Sequence, residues 1–253
     1  MSEKSFNEWE EIAQLYDKQQ SDFGRVVKRN FRTINDRFEF TGDDLLDIAC
    51  GDGEFVAFAA KQGYTVTGVD KSSEMLRLAE ERFTKEAVDS TLYQYDMREL
   101  PFSKEFDIIT CWYNSVNYLC KLKDLRTAFE TVYRSLRPEG IFVFDFVNRK
   151  RLREFATSPA LVPHDTDDLF EVHHDITYDT TEDLLSVEIT GFIADGDVWE
   201  RIDETHKNRG YRIEEVRSSL KQAGFDSVTA WEDIRTKTSA TESSKRIWTI
   251  AKK

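Results

Sequence analysis

The sequence predicts an α/β fold: a seven-stranded, mostly parallel sheet with helices on both faces, interrupted after its fifth strand by an antiparallel β insertion. Three observations predict it. Short apolar runs alternate with amphipathic segments between residues 45 and 146. Near residue 150 that alternation gives way to β-type stretches separated by acidic turns. It then resumes with one helix-like segment and two further apolar runs.

The elements follow in order. Residues 6–38 are helical in character, with Trp9, Ile12, Leu15 and Tyr16 at helix-like spacing. Leu45-Leu46-Asp47-Ile48-Ala49 is an apolar run ending in small residues, as a buried parallel strand would. Gly51 to Gly53 make a turn, and a helix from Glu54 to Gln62 stops at Gly63. Tyr64 to Asp70 form the second strand, after which Ser72 or Ser73 caps a helix carrying Met75, Leu76, Leu78 and Ala79. Leu92 to Tyr95 and Phe106 to Cys111 are strands three and four. A helix with Leu125, Ala128, Phe129 and Val132 is closed by Arg137-Pro138-Glu139-Gly140, and Ile141 to Phe146 form the fifth strand.

Residues 168–178, 184–194 and 197–206 then read as three strands whose short connections force them to run antiparallel. Glu214 to Ala223 is a helix, and Phe225 to Trp231 and Arg246 to Ala251 are the last strands. The expected organisation is an N-terminal helical cap (1–40), a ligand-binding core (41–150), a β-rich insertion (151–211) and a core completion (212–253). An insertion at that point lies near the strand carboxyl ends, where open α/β sheets bind ligands, and so reads as a substrate lid.

The chain of 253 residues, 40% of them apolar, is long enough to bury a substantial core. A net charge of −13 repels phosphate backbones, so no nucleic-acid partner is expected. Cys50, Cys111 and Cys120 show no paired metal-type spacing and read as reduced thiols rather than a disulfide framework. Neither a signal-like apolar run nor a stretch of roughly 18 apolar residues is visible, so a soluble cytoplasmic protein is expected. No heptad seam marks a dimer interface, which leaves monomer and homodimer both open.

Asp47-Ile-Ala-Cys-Gly-Asp-Gly53 carries the sharpest chemical signal. Small residues let the backbone turn tightly and approach a ligand, while the helix behind presents unpaired N–H groups. Asp70 ends the second strand, where a carboxylate can accept both hydroxyls of a ribose. A dinucleotide fingerprint wants a third glycine where this chain has Val56, and no Gly-Lys-Ser/Thr sequence marks a phosphate loop.

The segment resembles motif I of the class I methyltransferases, with Ala49 where the family consensus has the first of three alternate glycines. The resemblance continues through Asp70-Lys-Ser-Ser-Glu-Met75, Tyr95-Asp-Met-Arg-Glu-Leu100, Phe106-Asp-Ile-Ile-Thr-Cys-Trp112 and Leu136-Arg-Pro-Glu-Gly140. It implies a Rossmann-like fold and S-adenosyl-L-methionine as methyl donor, released as S-adenosyl-L-homocysteine. By that resemblance Asp47 fixes the loop and meets the methionine amino group. Ala49, Cys50, Gly51 and Gly53 supply close backbone contact, Asp70 holds the ribose, and Lys71 and Met75 flank the adenine. Asp96 accepts the adenine amino group beside the Met97 amide, Cys111 passes the methionine portion, and Trp112 and Tyr113 border the methyl group. Tyr16, a candidate both for the cofactor and for catalysis, lies in a segment resembling the cofactor cover of small-molecule members, and its alternative is an aromatic packed on the core.

After the fourth strand the chain reads Trp112-Tyr-Asn-Ser-Val-Asn-Tyr118, without the Asp/Asn-Pro-Pro-Tyr motif associated with amide-nitrogen methylation. That and the acidic charge favour a small-molecule acceptor, with Tyr113 and Asn117 as candidate substrate contacts. Arg201-Ile-Asp-Glu-Thr-His-Lys-Asn-Arg-Gly-Tyr211 concentrates polar side chains at the return to the core, and resembles an equally placed segment in stand-alone bacterial methyltransferases. His206 is the first candidate for a base or substrate contact and Arg209 and Tyr211 the next, against the alternative of a solvated strand end. His173 and His174 point to opposite faces of a strand and have no matching third ligand, so no metal is expected. The acidic tract from Asp165 to Asp168 reads as a solvated loop. Competing functions are methylation of a protein or tRNA, which needs a basic channel, a non-catalytic binder of the same nucleoside, and an NAD-dependent oxidoreductase.

Overall fold

The apolar run after residue 44 forms β1 (Asp44–Ile48), the centre of a sheet with strands buried on both faces. The computed structural model describes residues 9, 12, 13, 22–38 and 40–253. Along the chain come α1 (Asp22–Phe38), β1, α2 (Glu54–Lys61), β2 (Thr65–Asp70), α3 (Ser73–Glu86), β3 (Thr91–Gln94) and β4 (Phe106–Cys111). A 3₁₀ turn (Ser115–Tyr118), α4 (Leu122–Ser135), β5 (Leu136–Val147) and α5 (Arg149–Ala156) follow. The second sheet is β6 (Leu161–Asp165), β7 (Leu169–Asp179), β8 (Leu184–Asp195) and β9 (Val198–Arg209). The chain closes with α6 (Ile213–Ala223), β10 (Ser227–Asp233), the two-residue β11 (Thr238–Ser239) and β12 (Arg246–Lys252).

The main sheet has the order β11-β10-β12-β5-β4-β1-β2-β3. Strands β1 to β5 run parallel, and β12 enters antiparallel between β5 and β10. Seven principal strands with helices on both faces are what the alternation of the sequence predicts; β11 adds a short edge.

Strand alternation divides the core in two. Leu46, Ile48, Phe142, Phe144 and Phe146 face α4 and α6, where Leu125, Phe129, Val216 and Leu220 meet them. Leu45, Ile141 and Val143 face the other way, onto Val27, Phe31 and Ile34 of α1 and Phe55 and Val56 of α2. Phe31 sits edge-on to Phe55 at 5.1 Å and to Tyr64 at 5.6 Å, which packs α1 firmly against α2. No helix among the described residues is long and apolar enough to cross a membrane.

The insertion has four strands where the sequence shows three, and β9 runs to Arg209 rather than 206. The added strand, β6, is short, carries Pro163 and lies at a sheet edge, where a missing N–H costs no ladder bond. Also missed is α5, whose strongly basic sequence has Leu152 as its one buried residue. Leu152 and Val147 pack beneath Leu169, Leu185, Val187 and Ile189, and Ile12 joins the same cluster.

Candidate active site

A cleft of about 480 Å³ opens at the carboxyl ends of β1, β2 and β4, within the roughly 300–1,000 Å³ range of ligand cavities. Its floor is the turn after β1. Ala49 and Gly51 both hold left-handed backbone, with φ of 54° and 55°. Gly53 caps α2 at φ 73°, and a Cβ there would lie 2.7 Å from the ring of Phe83. Tight turning at these positions tucks α2 against α3 and leaves the amide of Gly51 aimed at Asp70. Arg82 of α3 braces the turn by donating from Nε to the Asp52 carbonyl oxygen at 2.9 Å and pairing with the Asp52 carboxylate.

Asp70 is held by two backbone donors. Its Oδ2 accepts from the Gly51 N–H at 2.9 Å and its Oδ1 from the Ser72 N–H at 2.9 Å. Burial nonetheless raises its pKa above the ordinary range, outweighing those donors. Asp47, beneath the turn, is 2% exposed and accepts from the Thr110 hydroxyl at 2.6 Å. Burial pushes its carboxyl up to about 8, against the pull of the Thr110 bond and with the charge of Asp70 adding to the rise. At Asp96 burial pushes upward too, but Arg98 prevails with three donors at 2.6 to 2.9 Å and holds the carboxyl below its usual range.

The wall after β4 is set by two successive left-handed residues, Tyr113 (φ 59°) and Asn114 (φ 52°). Asp145 accepts from the Asn114 N–H at 3.0 Å, and Arg246 holds the Asn114 side chain at 3.1 Å. Tyr113 donates from its hydroxyl to Glu54 at 3.1 Å, and Glu54 is also paired with Lys28 at 2.7 Å.

The cleft brings together Asp47, Ala49, Cys50, Gly51, Asp70, Lys71, Met75, Asp96, Met97, Trp112 and Tyr113 from the sequence-based set. Others lie off its wall. Gly53 shapes the turn from behind, and Cys111 is fully buried in the core, where burial raises its thiol pKa. Asn117, expected at the substrate, is instead a buried pin: its Nδ2 donates to the Val147 and Arg209 carbonyls at 2.9 and 2.7 Å, and its Oδ1 accepts from the Val147 N–H at 3.0 Å. Tyr211 is fully buried in the main core and donates to the Leu119 carbonyl. Arg209 lies over the Tyr211 ring, 5.5 Å from its centroid, and pairs with Glu215. His206 is 5% exposed and stands behind Tyr118 rather than in the cleft. Tyr16 lies outside the described residues.

Sequence reasoning missed Trp9, Tyr118 and Glu204. Trp9 and Tyr118 line the cleft, and Glu204 accepts the main-chain N–H groups of Trp9 and Ile12 at 3.0 and 3.1 Å. Outside the cleft, His173 bonds Glu171 at 2.6 Å and His174 bonds Thr190 at 3.0 Å. No group of three or more metal-ligating side chains is found among the described residues.

Residues 45–140 match the methyltransferase domain family. The protein YqeM of Bacillus subtilis (strain 168), named as a methyltransferase, is 33% identical over 216 residues, covering 83% of this chain and 83% of its own. A dTDP-3-amino-3,6-dideoxy-alpha-D-glucopyranose N,N-dimethyltransferase of Streptomyces fradiae is 30% identical over 138 residues, 53% of this chain and 52% of its own. Among solved structures, an S-adenosylmethionine-dependent methyltransferase from Clostridium acetobutylicum ATCC 824 superposes with a TM-score of 0.84 at 27% identity, covering 95% of this chain and 97% of its own. The ordered motifs, the strand order and these relatives together show that the chain belongs to the class I S-adenosylmethionine-dependent methyltransferases.

Proposed function

We propose that this enzyme moves the methyl group of S-adenosylmethionine onto a nitrogen or oxygen of a small-molecule acceptor by in-line displacement. The observation that carries the proposal is the setting of Asp70. Its carboxylate faces the cleft with each oxygen already oriented by a backbone N–H, and it retains acceptor capacity for a ribose hydroxyl. The other residues fit the rest of the cofactor. Asp47 is a buried carboxyl held protonated by its surroundings, and a methionine ammonium beside it would favour the ionised form. Asp96 Oδ2 accepts only one donor from Arg98 and has capacity for an adenine amino group. Met75 and Lys71 flank the adenine, and Trp112 and Tyr113 border the methyl group.

When bound, S-adenosylmethionine supplies a methyl group already activated by its sulfonium. The protein then has to align the acceptor and exclude water. A small acceptor is supported by the electrostatics of the lining, where Asp52, Glu54, Asp70, Asp96 and Asp124 outnumber Lys71 and Arg98. Such a wall repels a nucleic-acid backbone. The amino-sugar N,N-dimethyltransferase among the relatives supports nitrogen as one acceptor atom.

Titration calorimetry tests the cofactor. Heat is expected with S-adenosylmethionine and none with NAD, and Asp70→Ala should abolish the signal. Absence of heat from the native protein with S-adenosylmethionine would sink the proposal. A screen of metabolite pools with methyl-labelled cofactor then identifies the acceptor.

A further inference from the structure

We infer that Tyr118 takes the proton that the acceptor must lose, and that His206 and Glu204 behind it form the relay that receives it. This inference rests on the methyl-transfer proposal above and names the proton chemistry of the same site. Tyr118 is half-buried and lines the cleft, and its hydroxyl lies 2.8 Å from His206 Nδ1. On the far side of the imidazole, Nε2 lies 2.6 Å from Glu204 Oε2.

The chemistry of the three groups fixes the direction of the chain. Burial pushes the Glu204 carboxyl up, but the bond from His206 and the N–H groups of Trp9 and Ile12 prevail and hold it below its usual range. An ionised carboxylate only accepts, so His206 carries its hydrogen on Nε2 and presents a lone pair at Nδ1. The Tyr118 hydroxyl therefore donates to His206. Trp9 covers the assembly, its ring 4.8 Å from the imidazole and 5.9 Å from the Tyr118 ring. Val187 stands opposite His206 on β8, so the titratable groups bonded to His206 are Glu204 on its own strand and Tyr118 on the 3₁₀ turn.

The step balances as follows. A lone pair of the acceptor nitrogen or oxygen forms the new bond to the methyl carbon, and the breaking S–C bond leaves its electron pair on sulfur. The acceptor proton passes to the Tyr118 oxygen while the phenolic proton moves onto His206 Nδ1. For a hydroxyl acceptor the positive charge that entered on sulfur ends on an imidazolium paired with the Glu204 carboxylate; for an ammonium that charge stays on the methylated nitrogen, and the imidazolium holds the proton shed beforehand. A relay of this kind serves an acceptor that must shed a proton, namely a hydroxyl, in concert with attack, or an ammonium, before it. A merely structural hydrogen-bond chain would share the distances but not the kinetics.

The test compares native protein with Tyr118→Phe, His206→Gln and Glu204→Gln. Methyl-tritiated S-adenosylmethionine is the donor, and the small-molecule extract of a bacterial culture is the acceptor pool. Turnover in Tyr118→Phe and His206→Gln should fall by about 10²-fold or more, the usual worth of a general base. Affinity for S-adenosylmethionine, measured by calorimetry, should stay within about twofold of native in Tyr118→Phe. Imidazole ¹⁵N spectra, assigned by loss of the His206 signals in His206→Gln, should show hydrogen on Nε2 and a shift of Nδ1 in Tyr118→Phe. Because phenylalanine keeps the ring, Tyr118→Phe remains decisive even if the buried histidine variant fails to fold. Native turnover in Tyr118→Phe, or hydrogen on Nδ1, would overturn the relay while leaving the cofactor proposal standing. A native protein that binds no S-adenosylmethionine would overturn both.

Discussion

The Ser72 hydroxyl donates to the main-chain oxygen of Trp9 across 2.7 Å while accepting from the Met75 N–H at 3.1 Å. One side chain thus caps α3 and seats the residue that covers the cleft. Its own N–H is held by Asp70, and the Trp9 N–H by Glu204, so hydrogen bonds run without a break from the Asp70 carboxylate to the insertion. Ser72→Ala should cost about 1 kcal/mol through the lost cap. It should also weaken S-adenosylmethionine several-fold through the loosened cover. Thermal unfolding reads the first effect and calorimetry the second; a stability loss with unchanged affinity would deny Trp9 its place over the ligand.

Ala49 holds a left-handed φ of 54° at the position where methyltransferases of this class commonly carry glycine. That conformation costs an L-residue about 1–2 kcal/mol, part of which a glycine gives back as freedom of the unfolded chain. Ala49→Gly should therefore stabilise the protein by about 0.5–1 kcal/mol, with little change in cofactor affinity. Denaturant melts decide it, and a less stable variant would show that the methyl packing outweighs the strain.

Asp47 makes stability fall as pH rises. Its carboxyl titrates at 3.8 when unperturbed and at about 8 in the fold, so the native state holds a proton that the unfolded chain releases between those values. The contribution is fully present below pH 3.8 and is lost as pH climbs through about 8. Asp47→Asn should flatten this slope and raise the melting temperature at pH 8 to 9, by an amount equivalent to about 0.5–2 kcal/mol. It should also weaken the cofactor. In native protein at neutral pH, binding of the cationic ligand should release a proton, visible as a heat that depends on the ionisation enthalpy of the buffer. No such dependence would mean that the ammonium lies elsewhere.

At Gly210 a Cβ would stand 2.4 Å from the Cα of Arg149, so β9 and the start of α5 touch backbone to backbone. Gly210→Ala should destabilise by about 1–3 kcal/mol, because neither main chain can yield without moving an element. A melting temperature equal to native would contradict so close an approach.

What the sequence made legible is local. Asp47, Gly51 and Asp70 announce themselves because a strand, a tight turn and a second strand lie within one short stretch, and the turn chemistry is written in residue size. Glu204 shows the opposite case: its partners Trp9 and Ile12 are 195 and 192 residues away, and nothing near it in sequence hints at them. Asn117 and Tyr211 looked like ligand contacts because polar groups near a site invite that reading. The fold uses them instead to bond the carbonyl oxygens of Val147 and Arg209 at two strand ends and of Leu119 just after the 3₁₀ turn. Likewise α5 was hidden because its apolar stripe, Leu152, Phe155 and Ala156, is a single turn long and set among charged residues.

The β insertion leaves and rejoins the core at one point. Asn148 bridges Tyr211, and the amide of Asn117 grips the carbonyls of Val147 and Arg209 together. A segment whose two ends are fastened side by side behaves like a cassette in a fixed socket. Its length and outer strands can be exchanged while the core keeps its geometry, provided Glu204 and His206 stay in place against Trp9 and Tyr118. A protein engineer can graft along the same seam and leave the turn after β1 untouched.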